Sequence, residues 1–140
     1  MSKGRITGIG GIFFQCDDPK AMREWYSNHF GLITDEYGAL FEVRKATAPE
    51  EPAYLQWSTM SRNAEHFQPS KSSFMINYRV ENIEALVEQL KEAGVTVLDE
   101  VATYDYGKFV HLLDPEGNKV ELWEPVDKVF TDYSKGRTNK

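Results

Sequence analysis

The stretch FVHLLDPEGNKVELWEP, residues 109–125, carries a histidine and a glutamate that could exchange a proton or bind a metal. Between His111 and Glu121 stands DPEGN, which is typical of a three-residue hairpin loop, because proline presets the second turn position and glycine takes the left-handed one. If Asp114 pairs with Asn118, His111 lies opposite Glu121 on one face of two antiparallel strands. This spacing predicts an acid–base pair in which the imidazole titrates near neutral pH and the carboxylate orients it.

The alternation of side chains along the strands indicates what shares that face. The other face of the hairpin is apolar and should pack on helices, together with Ile12, Phe14, Cys16, Ile76, Tyr78 and Val80. The face of the histidine combines aromatic and polar side chains, as small-molecule clefts do: Gly11, Phe13, Gln15, Met75, Asn77, Arg79, Phe109 and Trp123. Arg79, Asn77 and Gln15 are the groups expected to hold a ligand carboxylate or carbonyl. The alternative to a ligand cleft is that this face of the sheet is exposed to solvent and that His111 and Glu121 form an ordinary cross-strand ion pair.

A repeat organises the chain. Residues 12–26 and 76–90 align at an offset of 64 (76 − 12), and each reads as a strand followed by a helix. Asp18 and Asn82 are predicted to cap the two helices, and Gly31 and Gly94 to end them. Several short strand-like runs follow each helix, ALFEVRK and AYLQWSTM in the first half and VTVLDE (95–100), KFVHLLD and KVELWEP in the second. The predicted fold is α+β: two β-α-β-β-β modules that form one curved mixed sheet with helices on its outer face.

The domain prediction is a single domain over residues 1–126, with repeats at about 5–60 and 72–126, a linker at 61–71 and a C-terminal tail at 127–140. The 140-residue length fits one core. A net charge of −6 argues against nucleic acid, and the absence of an 18-residue apolar run or secretory signal predicts a cytoplasmic protein with no membrane contact. Cys16 is expected to be a buried hydrophobe, His29 to be structural and His66 to be solvent-exposed.

The paired motifs GIFFQCDDPKAMREWY and MINYRVENIEALVEQL, with the closing DPEGNKVELWEP, resemble the vicinal oxygen chelate superfamily over residues 5–126. This is the group of glyoxalases, bleomycin-resistance proteins and extradiol dioxygenases. The resemblance implies four metal-ligand positions, of which only Glu121 holds a strong ligand. Gly11 and Met75 replace the two first-strand ligands, and the remaining position falls on Gln56 or Tyr54. We therefore expect Gln56 to contact the ligand and no metal cofactor to be required, although His111 could add a ligand at an unusual position.

Three functions remain open on the sequence. The first is a bleomycin-resistance-like protein that binds a small organic molecule in the cleft. The second is a metal-free lyase, isomerase or dioxygenase with Glu121 and His111 as catalytic residues, and the third is a metal enzyme with a non-standard site. The resemblance also implies a homodimer, because related proteins often build the cleft from two chains. The tail is expected either to fold over that partner or to be disordered.

Overall fold

The computed structural model describes residues 3–140, in which strands pair into one open mixed sheet. The strands of this part of the chain are β1 (Arg5–Cys16), β2 (Thr34–Asp35), β3 (Gly38–Lys45), β4 (Ala48–Ser61), β5 (Phe74–Glu81), β6 (Ala102–Tyr104), β7 (Gly107–Leu113) and β8 (Lys119–Pro125). The helices are α1 (Pro19–Phe30), α2 (Ile83–Glu92) and α3 (Asp127–Ser134), with a 3-10 turn at Glu65–Phe67.

The order of strands is β2-β3-β4-β1-β5-β8-β7-β6, so the two predicted modules lie side by side. They join where β1 pairs antiparallel with β5, and each of these central strands pairs in parallel with the last strand of its own module, β4 or β8. The predicted α+β fold is confirmed. Both halves of the sheet come from one chain, which removes the reason for expecting a partner to complete the cleft. The homodimer stays a prediction.

The main core lies between α2 and the second module. Val110, Leu112 and Leu122, from the apolar face of the predicted hairpin, pack with Ile83 and neighbouring residues of α2. Ile83 and Val110 have no exposed surface, and burying each such side chain contributes roughly 1.5 to 3 kcal/mol. The packing of this face on helices, as the alternation predicted, leaves the opposite face to form the site.

Two expectations about the strand–helix units are wrong, one about the cap of α2 and one about the burial of β1. Asp18 caps α1 by accepting a hydrogen bond from the Ala21 N–H, as predicted, but Asn82 has a left-handed backbone and its side chain makes no cap bond. The carboxylate of Glu124 accepts the N–H of Ile83 instead, at 2.9 Å, because β8 ends beside the start of α2. Ile12, expected in the core, is 40% exposed. The reason is that α1 packs mainly over β4 and leaves this side of β1 uncovered.

The run VTVLDE is also not a regular strand. Residues 95–100 lie beside β7 through one bridge, Val97 to Leu112, and the backbone bond from Leu98 N to His111 O at 2.8 Å. Next to these residues the side chain of Asp99, and not a backbone carbonyl, accepts the N–H of His111 at 2.8 Å. Because a side chain takes the place of the backbone acceptor here, the ladder of backbone hydrogen bonds ends. The edge strand of the sheet is β6, which begins three residues after Asp99.

The tail folds back on its own chain, which corrects the expectation of a partner-bound or disordered segment. Helix α3 begins at Asp127, whose carboxylate binds Arg79, and Thr131 shares a 2.7 Å hydrogen bond with the hydroxyl of Tyr54. Past the helix, Asn139 pairs with β3 by accepting the N–H of Glu42 and donating to Leu40 O, both at 2.8 Å. The third helix therefore lies on the face of the sheet opposite α2. Among residues 3–140, no helix is both long and apolar enough to cross a membrane.

Candidate functional site

The hairpin positions its histidine and glutamate as the spacing predicted. Asp114 N donates to Asn118 O at 2.9 Å, and Gly117 has φ +80°, the left-handed conformation that a side chain would disfavour. With this loop, His111 lies opposite Glu121 in the register of β7 and β8. The imidazole Nε2 is 2.7 Å from the carboxylate Oε2. The prediction that the two side chains lie on the same face of the sheet is confirmed.

Asp99 orients the imidazole from the other side. Its Oδ1 accepts the His111 backbone N–H, and its Oδ2 lies 2.7 Å from His111 Nδ1. Because Nδ1 faces this carboxylate, Nε2 is left to face Glu121. Asp99 was not predicted, since it belongs to a run that reads as a strand and precedes His111 by twelve residues.

Asn77 holds the second oxygen of the glutamate. Parallel pairing of β5 with β8 sets Asn77 beside Glu121, and Asn77 Nδ2 donates to Oε1 at 2.7 Å. Both side chains are buried. Asn77 Oδ1 is buried too and has no hydrogen-bond partner among the described residues. A ligand hydroxyl or a water could satisfy that oxygen, which is costly to leave unpaired.

His66 approaches the same carboxylate from the linker. Its Nε2 lies 3.5 Å from Glu121 Oε2, although its side chain is 41% exposed, as the sequence led us to expect. The 3-10 turn is fixed by Phe67, which is 1% exposed, and by Lys119 Nζ, which donates to His66 O at 2.6 Å. No feature of the sequence predicts this approach, because a polar linker with one histidine looks the same whether or not it folds over a site.

The charge on this cluster follows from its contacts. Burial alone would raise the pKa of Glu121, but the hydrogen bonds of His111 and Asn77 and the nearby His66 ring outweigh it and lower the pKa to about 2. Burial would lower the pKa of His111, yet the two carboxylates at its ring nitrogens raise it above its usual 6.5. In the absence of a bound ion, Glu121 is therefore a carboxylate near neutral pH, and its charge favours the protonated form of the neighbouring imidazole.

A cavity of about 750 Å³ opens over these groups, on the side of the sheet that α3 covers. Of the residues predicted to contact a ligand, five line it: Phe13, Gln56, Asn77, Phe109 and Trp123. Further walls were not predicted, and they come mainly from the edge strand β6, the loop after it and the tail: Tyr37, Tyr104, Tyr106, Val129, Phe130 and Tyr133. The rings pack on one another, with Phe109 stacked on Trp123 at 5.9 Å and Phe130 edge-on to Trp123 at 5.4 Å.

Three predicted ligand-contacting residues do not line this cavity. Arg79 is 8% exposed and binds Asp127 through both guanidinium nitrogens, so its fork is not free for a ligand. Met75, on β5, has no exposed surface. Gln15 is half-buried on β1, two residues past the position that pairs with Met75. Arg79 is not available to a ligand because Asp127, at the start of α3, places its carboxylate where we expected a ligand carboxylate to bind.

The superfamily's usual metal set does not fit on β1. A register shift between Ile9 and Gly11 brings Gly10 onto the cavity side. A Cβ atom on Gly10 would overlap Asn77 Oδ1 and lie 2.8 Å from Trp123 Cε3, and one on Gly11 would lie 2.9 Å from the ring of Phe13. The space of a first-strand ligand is thus already filled by neighbouring side chains.

The other usual positions offer no better donors, apart from Glu121. Met75 presents a thioether, a poor ligand for hard divalent ions. Gln56 donates its amide to the carbonyl of Tyr37 at 3.0 Å, and the Tyr54 hydroxyl is bonded to α3. A different candidate metal site is present, however, because ligand atoms of His66, His111 and Glu121 all lie within 4.8 Å of one another.

The comparisons with known proteins agree with this fold. Residues 11–123 match the model of the glyoxalase-like domain, so the chain belongs to that family, within the vicinal oxygen chelate superfamily. No curated protein matches the sequence.

Solved structures show the same fold at low identity. Methylmalonyl-CoA epimerase from Mycobacterium tuberculosis is 21% identical with a TM-score of 0.59, over 94% of this chain and 96% of that one. A variant of the Streptomyces coelicolor epimerase in complex with 2-nitronate-propionyl-CoA is 18% identical with a TM-score of 0.62, over 87% and 99%. The Mn(II)-bound glyoxalase from Novosphingobium aromaticivorans is 15% identical with a TM-score of 0.61, over 86% of this chain and 40% of that one.

Proposed function

We propose that this protein binds a small, planar organic molecule without negative charge in the cavity between its sheet and α3. The observation that carries the proposal is the cavity itself, whose size of about 750 Å³ lies within the roughly 300–1,000 Å³ of ligand sites. Eight of its twenty lining residues are Phe, Tyr or Trp, whose rings favour flat ligands through stacked and edge-on contacts worth roughly 0.5 to 1.5 kcal/mol each.

The polar groups of the cavity set the charge and orientation of that ligand. Three carboxylates line it, those of Asp35, Asp99 and Glu121, and among the described residues no lysine or arginine does. An anionic ligand would meet this field unfavourably, since Arg79 is already neutralised by Asp127. A hydroxyl group on the ligand could donate to Asn77 Oδ1, and a carbonyl could accept from one of the imidazoles.

Calorimetric titration with acetonaphthone and its saturated analogue acetyldecahydronaphthalene tests the proposal. We expect the planar ketone to bind at least about twofold more tightly, the lower end of what one aromatic contact supplies. Phe13→Ala should weaken its binding about tenfold, whereas Phe14→Ala should leave it unchanged. Phe14 is the matched control because it is the next residue of β1 and packs on Trp57, away from the cavity. Equal binding of both ketones, or equal effects of both variants, would contradict the proposal.

A second candidate function is metal-free acid–base catalysis, and the row formed by Asp99, His111 and Glu121 favours it. Two carboxylates hold the imidazole in one orientation. In this mechanism His111 Nε2 donates a proton to the carbonyl oxygen of a bound ketone while Glu121 accepts one from the adjacent methyl group, and the reverse transfers return the ketone with a solvent deuteron on carbon. Deuterium exchange into the methyl group of acetonaphthone, followed by NMR in protein treated with chelator, measures this chemistry. His111→Ala should abolish the exchange and leave affinity for the ketone largely intact. Exchange no faster than in buffer would refute catalysis of this kind and leave the binding function standing.

A further inference from the structure

We propose that His66, His111 and Glu121 form a binding site for one first-row divalent metal ion. The site uses only one ligand position of the superfamily's usual set and takes its two imidazoles from elsewhere, the linker and β7. It does not depend on the organic ligand, so metal binding and ketone binding can fail separately.

The ligand atoms lie near the separations that a metal ion requires, although one contact is too short. Metal–ligand bonds of about 2.0 to 2.1 Å in a tetrahedral site put neighbouring ligand atoms about 3.3 Å apart. The His66 Nε2 to Glu121 Oε2 distance, 3.5 Å, is already close to that value. The His111 Nε2 to Glu121 Oε2 distance, 2.7 Å, needs to widen by about 0.6 Å. The two imidazole rings stand perpendicular, with centroids 5.4 Å apart, so both nitrogens approach the same carboxylate oxygen without stacking.

The residues behind the ligands are arranged as supports. Asp99 Oδ2 binds His111 Nδ1 and so turns Nε2 toward the proposed ion, which is the usual carboxylate–histidine–metal relation. Asn77 occupies Glu121 Oε1 and leaves Oε2 as the free ligand atom. His111 and Glu121 therefore each have a second contact that fixes which of their atoms faces the site.

The ligand types and their exposure select the class of ion and its access. Two nitrogens and one carboxylate oxygen suit zinc, cobalt, nickel or iron(II), whereas calcium and magnesium prefer oxygen shells. Because three ligand atoms of the described residues converge, at least one coordination position stays open toward the cavity, as in catalytic metal sites. The exposed side of His66 gives the ion a route from solvent.

The test is calorimetric titration with Zn²⁺ of the full-length protein, without an affinity tag and after chelator treatment. The chain has three histidines, so His29→Ala on α1 is a matched control that removes an imidazole far from the cluster along the chain. We expect one Zn²⁺ per chain in the wild type and in His29→Ala. His66→Ala and Glu121→Gln should each weaken binding at least a hundredfold, and Asp99→Asn, which acts through His111, tenfold to a hundredfold.

Substitution of Co²⁺ supplies an independent readout. A site with nitrogen ligands should give visible absorption bands that disappear in His66→Ala, which lies on an exposed turn and should fold normally by circular dichroism. The proposal is overturned if the wild type binds less than about half an equivalent of Zn²⁺, or if His66→Ala binds as tightly as the wild type. It is also overturned if His29→Ala loses binding equally. Ketone binding measured with chelator present remains a separate result.

Discussion

The buried ion pair between Arg79 and Asp127 should control both the stability of the protein and the shape of its cavity. The guanidinium donates to the two carboxylate oxygens at 3.0 and 2.6 Å, and the side chains are only 9% and 10% exposed. Arg79 Nη1 also donates to Tyr54 O at 3.2 Å, and the guanidinium lies 5.4 Å from the centre of the Trp123 ring. Asp127 is the first residue of α3, so this pair attaches α3, which forms one wall of the cavity, to the sheet.

Asp127→Asn keeps the size of the side chain but leaves the arginine charge buried without a counter-ion. Removing one partner of a buried pair costs about 3 to 5 kcal/mol. We expect the lower end, about 3 kcal/mol, because the Tyr54 carbonyl and the Trp123 ring still contact the guanidinium. For a chain of this length that corresponds to a fall in Tm of about 10 °C. Because Val129, Phe130 and Tyr133 of α3 line the cavity, affinity for acetonaphthone should fall as well.

Thermal unfolding followed by circular dichroism measures this effect, and two further variants define it. Lys128→Ala is the matched control, since this neighbouring residue pairs with Asp132 on the exposed side of α3 and should change stability by less than about 0.5 kcal/mol. The double variant Arg79→Met, Asp127→Leu removes both charges and should recover most of the loss. A loss below about 1 kcal/mol in Asp127→Asn would refute the reasoning, as would a double variant less stable than the single one.

Two further expectations concern the groups around the central carboxylate. Gly10→Ala should lower Tm by several degrees, because the added Cβ would overlap Asn77 Oδ1. Gly8→Ala is the control and should be tolerated, because the nearest contact of its Cβ would be at 3.8 Å. Equal Tm values for the two variants would contradict this account. In chelator-treated protein, the pKa of Glu121, lowered to about 2, implies stability that is complete above about pH 4.5 and is lost as the pH falls toward 2. The loss should reach about 3 kcal/mol in urea titrations across that range, and Glu121→Gln should flatten it. The raised pKa of His111 has the opposite sign, so its contribution is complete below pH 6.5 and is lost at higher pH.

The sequence by itself determined the elements whose cause is local. The DPEGN loop fixes the register of β7 and β8 through a proline and a left-handed glycine, and that register alone places His111 opposite Glu121. The period of apolar residues likewise predicted α2 and the apolar face that it covers. Both depend on contacts between residues close in the chain or on strict alternation within a strand, which a sequence displays directly.

Only the tertiary structure decided which distant residues complete the site. His66 reaches Glu121 because Phe67 anchors the linker in the core, and Arg79 is withdrawn from the cavity because α3 brings Asp127 to it, 48 positions later in the chain. Neither outcome leaves a periodic pattern in the sequence. A turn, a linker or a tail has no preferred direction of its own, so its position is set by packing and charge pairing with surfaces that exist only after the sheet has formed.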